Sequence, residues 1–267
     1  MGRKMRILRI VITSISMYSR LPVPSVFCDE DDMGHIISAL PLTGAVIGVL
    51  SELLFIILLY FEIPVMGITL LLTLIPLIVT GGFHADGFMD VQDAFNSGQE
   101  RTRKLEIMKD PHIGAFAVIS LAITGITWIA FLYILIFLSL QSKDYSSVFI
   151  YFTSFFIVRS FCGLSSLTFK KAKKNGMLNM ETGRGGRADI AILSLQAVIG
   201  GALAACFNVY AGLVLILGLL FHTYIYKGKC VREFGGVTGD TAGYYVVTAE
   251  TLSIMILVIF ELIRKMV

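Results

Sequence analysis

Charged residues are scarce in this sequence. Only 15% of its 267 residues are Asp, Glu, Lys or Arg, whereas 56% are apolar. The mean hydropathy of +0.80 lies far outside the balance typical of soluble globular domains, which argues against a soluble domain. Cysteine is also sparse: four residues are scattered singly, and the absence of a CxxC pair argues against a zinc or dithiol redox centre.

Long apolar runs take the place of the missing charge. Seven segments approach or reach the roughly 20 residues that a spanning helix needs: 39–60, 64–80, 114–138, 147–169, 190–208, 210–226 and 244–262. Because lipid offers no partner to backbone polar groups, each span should be α-helical. The sequence therefore predicts an all-α, polytopic transmembrane bundle of about seven spans. It forms a single integral membrane domain, with an N-terminal interfacial helix in segment 1–38 and the bundle in 39–262.

Two local features refine this bundle. Only Val209 separates the fifth and sixth spans, which predicts a tight helical hairpin. Gly44 and Gly48 have GxxxG spacing, which predicts close packing against another helix.

Lysine and arginine are distributed unevenly along the chain. Most of the 22 fall in the N-terminal segment and in loops 81–113, 170–189 and 227–243. By the positive-inside rule these loops face the cytoplasm. We therefore expect an integral protein of the cytoplasmic (inner) cell membrane with its active site on the cytoplasmic side. Anionic membrane lipid is an alternative partner for these cations.

Three aspartates stand four and three residues apart in loop 81–113. On a helix, Asp86, Asp90 and Asp93 share one face, where like charges repel and favour a bound cation. All-oxygen ligands favour Mg²⁺, Mn²⁺ or Ca²⁺ over zinc. We interpret the three as catalytic metal ligands, with a solvated acidic face as the alternative. His84 precedes them as a candidate proton acceptor or donor to a phosphate.

Positive charge follows the aspartates. Arg103, Lys104 and Lys109 precede Pro111, which should end any helix that begins near Arg101. A second basic run, in loop 170–189, includes Lys173 and Lys174. Metal together with Arg and Lys is what phosphoryl transfer needs, so we expect these cations to bind substrate phosphates. A solvated basic face is the alternative for each.

A glycine-rich stretch, 235–243, precedes the last span. Thr238, Asp240 and Thr241 can cap the helix that follows, and its N-terminus favours a nearby phosphate. We count all three as substrate-binding candidates, although glycine-rich turns are common.

Two charged residues fall inside predicted spans. Arg159 and Glu250 are costly in hydrocarbon and should face the bundle interior or its cytoplasmic mouth. We include both among the substrate-binding candidates.

Taken together, these segments resemble the cobalamin synthase family, the adenosylcobinamide-GDP ribazoletransferases. The similarity is carried by ordered motifs at 19–24, 40–44, 81–87 with Asp90 and Asp93, 103–110 and 235–241. The resemblance implies a Mg²⁺-dependent membrane transferase that joins adenosylcobinamide-GDP to α-ribazole or its 5′-phosphate and releases GMP. It also implies that Asp86, Asp90 and Asp93 hold the metal, and it leaves the general base unassigned. Ala117 and the pair Tyr244-Tyr245 depart from the family pattern and concern packing or substrate fit.

Two other functions fit part of the pattern. A CDP-alcohol phosphotransferase also uses membrane aspartates and metal, but it requires Ala-Arg soon after Asp-Gly, where this chain has Phe88-Met89. A membrane transporter would favour midplane sites and repeated halves, and the sequence shows no convincing repeat. We expect small-molecule substrates and membrane lipid as partners and no nucleic acid; the sequence leaves the oligomeric state open, a homo-oligomer included.

Overall fold

The structure is a computed structural model that describes residues 2–172 and 176–266, with side chains from Met5 onward. Within these residues the chain forms helices α1 to α12 and a 3₁₀ turn at Ile36–Ala39: Gly2–Tyr18, Glu30–Met33, Leu40–Tyr60, Val65–Thr80, Phe83–Asn96, Arg101–Ile107, Ala115–Ser142, Ser146–Thr168, Met177–Thr182, Arg187–Phe207, Val209–Phe234 and Gly239–Met266. The described residues contain no β-strand, only an isolated parallel bridge between Lys171 and Val237. The all-α prediction is confirmed.

Six helices of the described chain are long and apolar enough to cross a membrane: α3 with its 3₁₀ turn, α7, α8, α10, α11 and α12. Helices α4 and α5 pass the same test only as a pair, and they meet at an angle of 90°, which gives up to seven spans. This range agrees with the predicted number. Because α5 turns away at a right angle and carries three aspartates, we treat α4 as the span and α5 as a helix at the membrane face.

Helix α8 is the centre of the bundle. Of its most apolar stretch 72% is buried, against 17% for α10. On α3, an added Cβ at Gly44 would collide with the carbonyl of Phe155, and one at Gly48 would lie 2.5 Å from the carbonyl oxygen of Phe152. The predicted close packing of the GxxxG pair is therefore confirmed, with α8 as the partner helix.

The last two long helices extend further than the hydropathy predicted. Loop 227–243 was expected between them, yet α11 continues to Phe234 and α12 begins at Gly239. Lys227, Lys229 and Arg232 end the apolar run but not the helix. All three are good helix formers, and positive charge suits the negative end of the helix dipole. At the other end of α11, the Asn208 side chain accepts from the Ala211 N–H at 3.1 Å, so the predicted hairpin is present.

The loops with the candidate residues meet at one end of the bundle. There the Arg20 N–H donates to the Val79 carbonyl and the Val237 N–H to the Lys170 carbonyl, both at 2.8 Å. The opposite end is closed by other contacts, such as the ion pair of Arg264 with Asp144 at 2.7 Å. The fold therefore brings segments that are far apart in sequence to one face of the protein.

Candidate functional site

A cavity of about 240 Å³ opens at this end of the bundle. Three segments supply its polar wall: the start of α5, the segment from Lys171 through α9, and the turn that leads into α12. Its polar residues include His84, Asp86, Lys171, Asn179, Glu181, Thr238 and Asp240, and its apolar wall includes Tyr18, Ile37, Leu40 and Phe83. The cavity thus combines charged groups of both signs with an apolar surface.

Two glycines allow α5 and α12 to touch. A Cβ at Gly87 would lie 2.9 Å from the carbonyl oxygen of Asp240, and a Cβ at Gly243 would lie 2.8 Å from that of His84. Any larger residue would push the helices apart. The aspartate motif and the glycine-rich turn are therefore direct neighbours.

This contact concentrates negative charge around Asp90. The carboxylate is half-buried, and burial, followed by the charges of Asp86, Asp240 and Asp93, raises the pKa of Asp90 to about 7. Asp240 also accepts from the Thr238 hydroxyl at 3.4 Å. Like charges held this close favour a cation among them.

The donor set suits Mg²⁺, because it consists of carboxylate oxygens at a partly exposed mouth. In the described part of the chain no three His, Cys, Asp or Glu side chains converge closely enough to hold an ion by themselves. Mg²⁺ commonly takes only one or two carboxylates and completes its shell with water and substrate phosphates, so the residues present fit the ion.

Asp93 has a role that the sequence pattern did not reveal. Its carboxylate accepts from the Gly114 N–H at 2.7 Å and the Ala117 N–H at 2.8 Å. Amides at the start of a helix have no partner within the helix, so the Asp93 side chain, which stands on α5, caps the N-terminus of α7. Each oxygen keeps a further lone pair, but the carboxylate is held in place by α7.

His84 lies on the wall of the cavity and is 6% exposed. Among the described residues its Nδ1 atom is buried without a hydrogen-bond partner. Burial, with a smaller effect of the Arg159 charge, holds the pKa of His84 well below its usual value, so the ring is neutral. A neutral imidazole carries one donor and one acceptor nitrogen, so His84 keeps hydrogen-bonding capacity at the cavity wall.

The two threonines of the glycine-rich turn bond to each other. The Thr238 N–H donates to the Thr241 hydroxyl at 2.8 Å, and the Thr241 N–H donates to the Thr238 hydroxyl at 3.2 Å. This is the reciprocal arrangement of a capping box, with threonine in the place of the usual Glu or Gln. Thr241 is fully buried and fixes the start of α12, whereas Thr238 and Asp240 line the cavity.

A second cleft, of about 430 Å³, adjoins the cavity. Lys171 lines both. The other cations of the cleft are Arg101, Lys109 and Lys170. Of these, only Lys109 was among the predicted residues, although the others stand in the same basic runs. The cleft offers positive charge beside the carboxylates.

The remaining predicted cations have other surroundings. The Lys104 ammonium is buried against Glu233 at 2.6 Å, which ties α6 to α11. Arg103 is exposed and pairs with Glu106 at 2.8 Å. Lys173 and Lys174 lie outside the described residues.

Arg159 and Glu250 meet inside the bundle. Their side chains are 1% and 4% exposed and form an ion pair at 2.6 Å. Neither lines the cavity. Both therefore face the bundle interior, as expected of charged residues within spans.

Comparison with known proteins gives a consistent result. A family model described as cobalamin-5-phosphate synthase matches residues 10–258. The chain is 35% identical over 252 residues to an adenosylcobinamide-GDP ribazoletransferase of Lachnoclostridium phytofermentans, which covers 93% of this chain and 92% of that protein. It is 32% identical over 257 residues to a protein of the same name from Clostridium perfringens strain SM101, with 91% and 95% covered. No solved structure matches the chain.

Proposed function

The chain belongs to the cobalamin-5-phosphate synthase family, and from this premise we propose that it is an adenosylcobinamide-GDP ribazoletransferase. The reaction joins adenosylcobinamide-GDP to α-ribazole or its 5′-phosphate and forms adenosylcobalamin or its 5′-phosphate. The ribazole 3′-oxygen forms a bond to the phosphorus on the cobinamide arm, the bond from that phosphorus to GMP breaks, and the hydroxyl proton is released.

The observation that carries this proposal is the contact of Gly87 with Asp240. It brings the aspartates of α5 beside the turn that begins α12, so that carboxylates and a helix N-terminus lie at one cavity, and the adjoining cleft with its cations shares Lys171 with that cavity. Phosphoryl transfer depends on holding phosphates in position and stabilising their charge, and this opening offers groups for both.

Asp86 and Asp90 are the carboxylates proposed to hold Mg²⁺, and Asp240 adds negative charge beside them. When bound, the ion neutralises phosphate charge and stabilises the leaving oxygens. Asp93 contributes by fixing the start of α7 next to them. The cations of the adjoining cleft (Arg101, Lys109, Lys170 and Lys171) bind the phosphates of the two substrates. His84, on the cavity wall, has a buried Nδ1 atom without a partner among the described residues, and a small turn of the ring would bring that atom to a substrate.

The site is proposed to face the cytoplasm from the cytoplasmic membrane. The support is the excess of Lys and Arg in the segments that meet at the cavity end of the bundle. Soluble phosphorylated substrates then reach the opening without crossing the lipid.

The test uses purified protein in detergent. GMP release that requires both substrates and Mg²⁺ supports the proposal. Uptake of a corrinoid into vesicles with no GMP release would instead indicate a transporter.

A further inference from the structure

We propose that Glu181 recognises the guanine base of the nucleotide substrate, inside the cavity described above. This inference rests on the proposed function and specifies which residue selects the nucleotide. Glu181 stands on the short helix α9, in the basic loop that follows α8, and no motif in the sequence marks it.

The surroundings of Glu181 are unusual for a carboxylate. It is 4% exposed and lines the cavity. Tyr18 and the Lys171 charge act on it from nearby, but the Tyr18 hydroxyl forms no hydrogen bond in the described part of the chain, and the Lys171 ammonium bonds instead to the Thr182 hydroxyl. Among the described residues no cation forms an ion pair with Glu181. A buried carboxylate is costly unless its oxygens are satisfied, so this one has acceptor capacity left for a ligand.

The chemistry of the carboxylate selects among the rings that the substrates carry. An ionised carboxylate only accepts hydrogen bonds. Guanine presents two adjacent donors, N1–H and the 2-amino group, which suit two carboxylate oxygens. The benzimidazole ring of ribazole has only an acceptor nitrogen and apolar methyl groups, and adenine has an acceptor at N1. Guanine is therefore the ring that Glu181 favours.

The size and lining of the cavity agree with a single ring. Pockets for drug-sized ligands measure roughly 300–1,000 Å³, whereas this cavity measures about 240 Å³. It admits one base but not a whole corrinoid. Tyr18, Phe83 and Leu40 supply apolar and aromatic surface. Since Asp86 and Lys171 line the same cavity, a base bound at Glu181 brings its phosphates next to charged groups.

The unaltered protein in detergent gives the first test. Inhibition of the transferase by GMP is compared with inhibition by IMP, which lacks the 2-amino group, and by N1-methyl-GMP. We expect GMP to inhibit at about tenfold lower concentration than either, the effect of losing one hydrogen bond to a charged acceptor. Equal inhibition by GMP and IMP would overturn the inference without any variant.

Glu181→Gln gives the second test. Glu62→Gln is the matched control, because Glu62 is exposed, stands in the turn between α3 and α4 and does not line the cavity. The amide keeps the volume but replaces one acceptor by a donor. We expect the preference for GMP over IMP to fall to about threefold or less in Glu181→Gln, and to persist in Glu62→Gln. A preserved preference in a well-folded Glu181→Gln protein would contradict the inference.

Failure of the proposed function gives a different result. If the unaltered protein released no GMP from adenosylcobinamide-GDP, the transferase proposal would fail, and direct binding of GMP and IMP would still test Glu181. If turnover were normal but the two nucleotides bound alike, only the assignment of Glu181 would fail.

Discussion

The Asp93 carboxylate and the Gly114 backbone are fitted to each other. The Gly114 N–H donates to the carboxylate at 2.7 Å, and a Cβ at position 114 would lie 2.5 Å from the same group. The aspartate thus needs a glycine opposite it, and the start of α7 depends on the aspartate. This pair joins the metal-binding candidates of α5 to a membrane span.

Asp93→Asn should therefore weaken the fold. The amide loses the charge that favours the α7 N-terminus, at a cost of about 1 kcal/mol. The expected result is a lower melting temperature in detergent, with turnover reduced but still measurable. Complete loss of turnover at an unchanged melting temperature would instead indicate that Asp93 is a metal ligand.

Asp86→Asn and Asp90→Asn should reduce turnover and leave the fold intact. Each removes a proposed Mg²⁺ ligand, so we expect GMP release to fall by about a hundredfold or more while membrane insertion and detergent stability are kept. Asp144→Asn is the matched control, because Asp144 lies at the other end of the bundle. Full activity of both α5 variants would refute the proposed site.

The requirement for Mg²⁺ should depend on pH. Since the pKa of Asp90 is raised to about 7 before metal binds, protons compete with the ion below that pH. We expect the Mg²⁺ concentration for half-maximal activity to rise up to about tenfold per unit as pH falls below 7. Measuring it from pH 6 to pH 8 tests this, and a flat profile would contradict the placement of Asp90.

The same carboxyl group should affect stability without metal. Its pKa is raised in the folded protein, so the stability that it contributes is present below its ordinary pKa near 4 and is lost as pH rises to about 7. Melting temperatures at pH 6 and pH 8, with and without Mg²⁺, should show that the ion stabilises more at pH 8. Asp90→Asn should remove most of that difference.

Gly87→Ala and Gly243→Ala should separate α5 from α12. The added methyl would meet a backbone oxygen in each case, and overpacking of this kind costs about 1–3 kcal/mol. We expect both variants to lose turnover and melt earlier. Gly125→Ala is the control, because nothing lies within 4 Å of the added Cβ and alanine is the better helix former.

The buried ion pair gives a prediction that separates structure from substrate binding. Glu250→Gln leaves Arg159 without its charged partner inside the bundle, which should cost about 3–5 kcal/mol. The double replacement of both residues by methionine should recover much of this stability. If Glu250→Gln raised KM without lowering the melting temperature, a direct role in substrate binding would be supported.

The sequence predicted what depends on local pattern. Apolar runs determine the spans, the Asp86, Asp90 and Asp93 spacing determines a helix, and Gly44 with Gly48 determines a close contact. The turn between α4 and α5 separates the apolar run of α4 from the aspartate helix α5, and hydropathy alone does not predict the 90° angle between the two helices.

The rest depended on which segments meet. The partner amides of Asp93 lie at the start of another helix. Lys104 is held in an ion pair because Glu233 lies opposite it, whereas Lys109 lines the cleft. Glu181 was missed for the same reason. The one signal was an acidic residue within a basic loop, and its meaning depends on Tyr18 and the cavity.

The right-angle corner at Gly81 and Gly82, both left-handed at φ +61° and +82°, sets the depth of the aspartates. On a continuation of α4, Asp86 and Asp93 would differ in depth by roughly 10 Å, because a helix rises 1.5 Å per residue. At right angles to α4, α5 instead keeps its three aspartates at nearly the same level along the α4 axis. All three carboxylates can then meet the same layer of the membrane surface, which a straight continuation of α4 would not allow.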